Sequence, residues 1–336
     1  ESLCSGGDSL MTSLLEVRNL KTYFHSDGSV VKAVDGVSFD VRAGETVAVV
    51  GESGSGKTVT ALSVLRLIPN PPGEIVSGEI HFGGRDLLSL SEAETREIRG
   101  NRIAMIFQEP MTSLNPSLTV GRQVGEPIEV HKKFSRKDVW DQCISLLRKV
   151  RIPDPEQRAK AYPYQFSGGM RQRAMIAMGL ACEPELIIAD EPTTALDVTV
   201  QAQVLHLLKE LTRETGAALV IITHDLGVVA RYADRVNVMY AGRIVESGPA
   251  REIYNNPKHP YTVGLMNSVP RLDGDVKSAL QPIEGHPPDL ADLPPGCAFQ
   301  PRCQHFVQQC LTECPTLSKV SREHLAACWV DLNVTS

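Results

Sequence analysis

No apolar run in the chain approaches the roughly 18–20 residues that a helix needs to cross a bilayer, so a helical membrane span is excluded. Nor does a basic stretch followed by an apolar one open the sequence, and the expectation is a cytoplasmic protein without a secretory leader. Neither sign of charge dominates. The 34 Lys and Arg stand against 40 Asp and Glu, a net charge of −6, so nothing in the overall balance calls for nucleic acid. Apolar periodicity is also missing from Glu1–Leu10, which is Gly/Ser-rich. Residues 1–13 therefore read as a disordered lead or an added remnant, with Met11 a candidate native start. What remains of the 336 residues is enough for one large α/β domain with an appendage, or for two domains.

The centre of the chain is Gly51–Thr58, GESGSGKT, which fits the phosphate-binding pattern G-x-x-x-x-G-K-[ST] at every fixed position. Before it, Glu45–Val50 (ETVAVV) reads as a buried strand. After it, Val59–Ile68 has apolar residues at helical spacing up to Pro69. Glycines let the backbone curl so that its N–H groups face phosphate oxygens, helped by the helix N-terminus. Lys57 can reach the β- and γ-phosphates, and the Thr58 hydroxyl can ligate Mg²⁺. An ordinary glycine turn ahead of a helix is the plain alternative. A chance match in a chain this long is on the order of one in a hundred, and rarer with these flanks.

Leu14–Leu20 and Val34–Val41 alternate apolar with polar residues about a turn at Ser26–Ser29, and read as antiparallel strands. Tyr23 or Phe24, just before that turn, could stack on adenine or simply cover a strand edge. Ile103–Phe107 is an apolar strand that delivers Gln108 and Glu109. Glu185–Glu191 (ELIIADE) is another, ending in two carboxylates: Asp190 to hold Mg²⁺ through water, Glu191 to orient or deprotonate a water. Ala218–Thr223 delivers His224 and Asp225. These ends, with the phosphate loop, fall along one edge of a parallel sheet, where such folds bind ligands. Thr119–Val130 and Ser135–Val150 are helical by period, Ser135 serving as N-cap. Pro153–Pro163 is a breaker-rich connection, and Phe166–Arg171 (FSGGMR) feeds a further helix and makes a second anion site.

From Val269 the sequence turns proline-rich and loses helical period. Of the eight cysteines, Cys4, Cys143 and Cys182 are scattered, while Cys297, Cys303, Cys310, Cys314 and Cys328 crowd the last forty residues. In a reducing cytoplasm such crowding points to metal before disulfide. Cys297-x5-Cys303-x6-Cys310-x17-Cys328 can supply the four thiolates of an iron–sulfur cluster. Zinc would take the same set but usually shows a closer C-x2–4-C pair, met here only by Cys310 and Cys314. Free thiols are the third reading.

Taken together, these stretches resemble an ATP-binding cassette (ABC) transporter ATPase across Leu14–Ser247. FSGGM resembles the family's LSGGQ signature, TALD (Thr194–Asp197) its D-loop, Gln108 the Q-loop glutamine and His224 the switch histidine. QEPMTSLNPSLTVG (Gln108–Gly121), ADEPTTALDVTVQAQ (Ala189–Gln203), ITHDLGVVA (Ile222–Ala230), VMYAGRIVE (Val238–Glu246) and HPYT (His259–Thr262) narrow the resemblance to the oligopeptide/dipeptide permease ATPases. VPRL (Val269–Leu272) and GCAFQPRC (Gly296–Cys303) resemble the D-type subunit. Met170 and Phe166 depart from the signature's Gln and Leu but leave Ser167, Gly168 and Gly169 intact.

The resemblance implies a P-loop α/β ABC core over residues 14–264, with an antiparallel β subdomain and a helical subdomain at about 110–182. A small Cys-rich C-terminal subdomain follows at 265–336. It assigns the nucleotide to Phe24, Gly51, Glu52, Ser53, Gly54, Ser55, Gly56, Lys57, Thr58, Val59, Gln108 and Asp190. Thr58, Gln108 and Asp190 would hold Mg²⁺, and Glu191, His224, Gln108 and Lys57 would carry catalysis. Ser167, Gly168, Gly169 and Asp197 would act on the site of a second ATPase subunit in a head-to-tail heterodimer holding two ATP. Two membrane permease subunits, docked about Pro110–Pro163, and an extracytoplasmic peptide-binding protein complete the assembly, which would place the chain at the cytoplasmic face of the inner membrane. The resemblance also favours a 4Fe-4S cluster on Cys297, Cys303, Cys310 and Cys328, with Zn²⁺ as the rival and Cys314 left out. An ABC ATPase working on DNA or ribosomes would carry long coiled coils or a second cassette, and the chain has neither. Intact Lys57, Asp190, Glu191 and His224 argue against a degenerate, non-hydrolysing subunit. Related importers of nickel or glutathione remain open.

Overall fold

The computed structural model describes residues 13–26, 28–193, 197–268 and 283–332. Met11, Thr194–Leu196 of the D-loop stretch and Val269–Leu272 lie outside these. Along the chain come β1 (Ser13–Ser26), β2 (Ser29–Arg42), β3 (Thr46–Val50), β4 (Gly73–Phe82), β5 (Arg85–Asp86) and β6 (Ile103–Ile106). They are followed by β7 (Leu186–Asp190), β8 (Ala218–Thr223), β9 (Arg235–Tyr240), β10 (Arg243–Pro249), β11 (Ser318–Lys319) and β12 (Leu325–Ala326). The helices are α1 (Lys57–Val64), α2 (Glu92–Ile98), α3 (Pro110–Ser113), α4 (Val120–His131), α5 (Arg136–Lys149) and α6 (Pro155–Arg158). After them come α7 (Gly168–Leu180), α8 (Val198–Thr215), α9 (Leu226–Tyr232), α10 (Ala250–Asn255) and α11 (Pro260–Asn267).

β3 (TVAVV), β7 (LIIAD) and β8 (ALVIIT) are buried at every position. Unbroken apolar strands need cover on both faces, which a parallel sheet between helical layers provides. They pair in parallel with β6 and β9 in the order β9-β3-β8-β7-β6, so their carboxyl ends share one edge. An antiparallel sheet, β2-β1-β4-β5, packs its apolar side over α1 through Leu15, Val17, Leu20 and Ile80. β1 and β2 run longer than their alternation indicates because the pairing slips between Val17 and Leu20, where Asn19 takes a φ of 46°. Such a bulge moves the apolar face by one residue and ends the visible pattern early.

α4, α5 and α7 pack around Val120, Val124, Leu147 and Ile176 to form a helical layer. Ser135 opens α5 with a reciprocal capping box to Asp138, as Ser91 does for α2 with Glu94. The breaker-rich connection holds one short helix, α6.

Composition sets the C-terminal residues apart, but their described part is continuous with the core. β12 pairs with β10, Glu246 opposite Ala326, and so extends the main sheet. Phe299 is buried against Tyr240 and Tyr261, ring centroids 5.2 and 5.4 Å away.

Beneath this junction the fully buried Glu246 gathers three groups. Its Oε1 lies 2.7 Å from His324 Nε2 and accepts the Lys258 N–H, while Oε2 accepts the His259 N–H. His259 Nδ1 in turn accepts the Tyr261 N–H at 3.0 Å and caps α11. Burial pushes His259 down to about 4, against the pull of the Glu246 charge. A base whose folded pKa lies below its unfolded value favours the neutral native state. Its contribution is complete above about pH 6.5 and is lost as pH falls toward 4, by up to about 3 kcal/mol. His259→Asn keeps a cap without titrating, so urea unfolding should lose about 2 kcal/mol of the pH 7-to-5 decline. An unchanged decline in the variant would assign it to another group.

Candidate nucleotide site

Gly51, at the end of β3, is the first glycine of the loop, and a Cβ there would sit 2.1 Å from the Met239 carbonyl oxygen. Gly56 has a φ of 101°, and its Cβ would meet the Ala33 oxygen at 2.2 Å. Only glycine fits two backbones this close. The Ser55 oxygen accepts the Gly242 N–H at 3.0 Å, tying the loop to the β9–β10 turn. The loop then enters α1, whose N-terminus holds Lys57 and Thr58. The buried Lys57 ammonium donates to the Gly51 oxygen at 2.7 Å and the Glu52 oxygen at 2.8 Å. Burial lowers its pKa, opposed by the charges of Glu191, Asp190 and Glu52.

The neighbouring strand ends bring the other polar groups. Thr58 Oγ1 donates to Asp190 Oδ1 at 3.2 Å. Burial raises the Asp190 pKa, the Thr58 bond working against it and the Glu191 charge with it. A divalent cation would reverse that balance by favouring the carboxylate. Gln108 Nε2 donates to Glu191 Oε2 at 3.0 Å, and His224 Nδ1 lies 3.3 Å from Glu191 Oε1. Glu191 itself has a φ of 44°, a left-handed conformation that costs a non-glycine residue about 1–3 kcal/mol and clusters at functional sites. Its N–H bonds the Ile222 oxygen at 2.9 Å, which fixes the turn.

These groups line one cavity of about 800 Å³. Glu52, Ser53, Gly54, Gly56, Lys57, Thr58, Val59, Gln108, Glu191 and His224 are on its wall, with Asp190 behind Thr58. The opposite wall is Leu265, Ser268, Ile283 and Leu290. Phe24 is part-buried outside that wall, its ring over Gly73, where a Cβ would come within 2.8 Å. Tyr23 points the other way and donates its hydroxyl to Asp35 at 2.8 Å, with its pKa pushed up to about 12, chiefly by burial.

Ser167 is exposed and elsewhere. Its Oγ accepts the Met170 N–H at 3.3 Å and caps α7, so Gly168 and Gly169 begin that helix. Asp197, also exposed, caps α8 through the Val200 N–H at 3.0 Å, and a Cβ on Gly169 would lie 3.1 Å from Val200. The two helix starts thus sit together on a surface outside the cavity.

Cys297, Cys303, Cys310 and Cys328 line one small, apolar cavity beside Trp329. Burial raises Cys297 to about 11 and lifts Cys303 and Cys328 as well. Cys314 lines a neighbouring cavity together with Cys297, its sulfur 3.0 Å from Arg243 Nη1. Among the described residues no group of three or more His, Cys, Asp or Glu side chains is placed to hold a metal ion.

Two residues escaped the sequence reading. Arg302 forms a two-pronged ion pair with Glu52, and the Tyr261 hydroxyl accepts the Glu52 N–H. The available signal was Glu52 itself, an acid in a loop that binds phosphate and so in need of a cation.

Comparison with known proteins agrees with this geometry. The family profile described as "ABC transporter" matches residues 34–194, and that described as "Oligopeptide/dipeptide transporter, C-terminal region" matches 245–310. A probable peptide ABC transporter ATP-binding protein of Sinorhizobium fredii is 54% identical over 94% of both chains. The dipeptide transport ATP-binding protein DppD of Bacillus subtilis is 53% identical over 95% of both. Among solved structures, the dimeric post-hydrolysis state of the ATP-binding cassette MJ0796 bound to ADP and Pi superposes with a TM-score of 0.64. It is 27% identical and covers 70% of this chain and 99% of its own. Among the described residues no helix is long and apolar enough to cross a membrane. A phosphate loop, its strand-end carboxylates and relatives alike over almost their whole length lead to one conclusion: the chain belongs to the ABC transporter ATP-binding proteins, in the oligopeptide/dipeptide branch.

Proposed function

We propose that the chain is the ATP-hydrolysing subunit of an importer for dipeptides or oligopeptides. The observation that carries this reading is the division of the catalytic parts: Lys57, Thr58, Gln108, Glu191 and His224 share one cavity, while Ser167 is exposed on another surface. A second ATPase subunit, packed head to tail, brings its own signature serine to the γ-phosphate held here, and Ser167 does the same for the partner. The loop amides and Lys57 bind the phosphates, the ammonium exchanging its carbonyl acceptors for phosphate oxygens. Thr58, Asp190 and Gln108 would hold Mg²⁺, which would supply positive charge to neutralise the phosphates. Glu191 orients and deprotonates the attacking water, and His224 steadies the same carboxylate. Phe24 stacks on adenine from the β1 side.

Two membrane subunits dock on the helical layer, at the inner face of the cell membrane. Met111 and Tyr164 there are each 64% exposed, and Phe134 and Trp140 also face outward. Closure of the ATPase pair on ATP, then reopening after hydrolysis, drives alternating access. An extracytoplasmic binding protein delivers the peptide. Reconstitution with the membrane subunits and binding protein in vesicles tests the substrate: peptides should stimulate phosphate release. Stimulation by nickel or glutathione alone would overturn the peptide reading.

Cys297, Cys303, Cys310 and Cys328 hold a 4Fe-4S cluster with a structural role. The support is the small cavity, of about 10 Å³, that all four thiols line and Cys314 does not, while Cys297 also lines the neighbouring cavity with Cys314. Burial raises Cys297, Cys303 and Cys328, and thiols so placed become thiolates only against positive charge, which bound iron would supply. Anaerobically purified protein should absorb near about 400 nm through sulfur-to-iron charge transfer, and Cys310→Ser should lose the band. Stoichiometric zinc without that band would overturn the assignment.

A further inference from the structure

Glu52 is the second residue of the phosphate loop, and its carboxylate and its N–H are both held by residues from the other end of the chain. Arg302 Nη1 donates to Oε2 at 2.7 Å and Nη2 to Oε1 at 2.9 Å, a two-pronged pair. The Tyr261 hydroxyl accepts the Glu52 N–H at 2.8 Å. Arg302 is in turn fixed: Nε donates to the Glu284 oxygen at 3.0 Å, and Nη1 reaches the Tyr240 hydroxyl at 3.4 Å. Its side chain is 5% exposed and that of Glu52 26%, so water screens the pair only on one side. The Glu52 carbonyl completes the relay by accepting the Lys57 ammonium at 2.8 Å.

A loop that cradles phosphate by its amides works only if those amides are aimed beforehand, since ordering them on binding lowers affinity. Glycines at 51, 54 and 56 give the backbone freedom, and something must remove it again. We propose that Arg302 and Tyr261 are positioning residues for the phosphate loop, presetting it for the triphosphate through Glu52. Neither touches the reacting atoms. Ile283, next to Glu284, and Leu265, on the same helix as Tyr261, line the nucleotide cavity, so the two stretches that hold the loop also wall the site.

The inference rests on the cavity being the ATP site, and the test separates the two. Binding of a fluorescent ATP analogue to the full chain is measured for the wild type, Glu52→Gln, Arg302→Met, their double variant and Tyr261→Phe. Each single change at 52 or 302 should weaken binding about tenfold, equivalent to about 1.4 kcal/mol, with the double variant no weaker than either. Tyr261→Phe removes one oxygen and leaves the packing, so it decides the matter if Arg302→Met does not fold; it should weaken binding severalfold. In the assembled ATPase the KM for ATP should rise while kcat holds, because Glu191, His224 and Gln108 are untouched. Wild-type protein that fails to bind would refute the nucleotide site. Wild type and all variants binding alike, with only the melting temperature lowered, would reduce the contact to a tie for the C-terminal residues and overturn the proposal.

Discussion

Replacing Glu191 by Gln is expected to lower phosphate release by the assembled transporter about 10²–10⁴-fold, the range spanned by loss of a positioned general base. Contacts hold both carboxylate oxygens of Glu191 and its backbone. Gln108 donates to one oxygen at 3.0 Å, His224 stands 3.3 Å from the other, and the backbone N–H is tied to Ile222. In the proposed reaction this carboxylate takes a proton from water in line with the γ-phosphate. Glutamine keeps the shape but cannot accept that proton. It also removes a negative charge that raises the pKa of the neighbouring Asp190. Lys57, Thr58 and Asp190 are unchanged, so nucleotide binding should survive while turnover fails. The check is phosphate release and nucleotide affinity measured on the same preparation. Undiminished release would remove Glu191 from this role.

The second large effect is expected at Ser167, and it should appear on the wrong chain. Ser167→Asp preserves the cap on α7, since Asp caps a helix as well as Ser does. The variant should fold and should bind nucleotide at its own loop as the wild type does, because Ser167 is outside that cavity. In the heterodimer, however, a carboxylate would meet the γ-phosphate where a hydroxyl should donate. Loss of one such donor lowers turnover about 10²–10³-fold, and a repelling charge adds to it. The partner's site should stop while this chain's own site keeps its nucleotide. Equal loss of nucleotide binding by the isolated variant would show that Ser167 serves the site on its own chain, contrary to the head-to-tail arrangement.

The cavity's near wall was legible because phosphate chemistry is written locally. Eight consecutive residues must curl, carry an ammonium and offer a hydroxyl, and β-branched runs of five or six residues mark the strands that end beside them. Gln108, Asp190, Glu191 and His224 could be placed at one sheet edge from the strand ends alone. The cavity's far wall was not legible. Leu265, Ser268, Ile283 and Leu290 show no period that announces them, and the Glu52–Arg302 pair joins residues 250 positions apart. β12 is two residues long and pairs only because β10 presents an open edge. The left-handed backbone of Glu191 is invisible as well, since its stabilisation comes from Ile222 and not from its neighbours in sequence. Tyr23 and Phe24 were indistinguishable by pattern. Strand alternation separated them by giving Tyr23 to Asp35 on one face and Phe24 to Gly73 on the other.

The pairing of β12 with β10 also orders events during synthesis. Strand β3 and the phosphate loop leave the ribosome early, yet Arg302, Phe299 and Ala326, which hold the loop and finish the sheet, are translated some 250 residues later. Until they arrive, the β10 edge has unpaired amides and carbonyls, and Tyr240 and Tyr261 lack the ring that covers them. An exposed edge beside apolar rings is a site for pairing with other chains. Deleting residues 296–332 should therefore leave the cassette prone to aggregation, which sedimentation of the truncated protein checks.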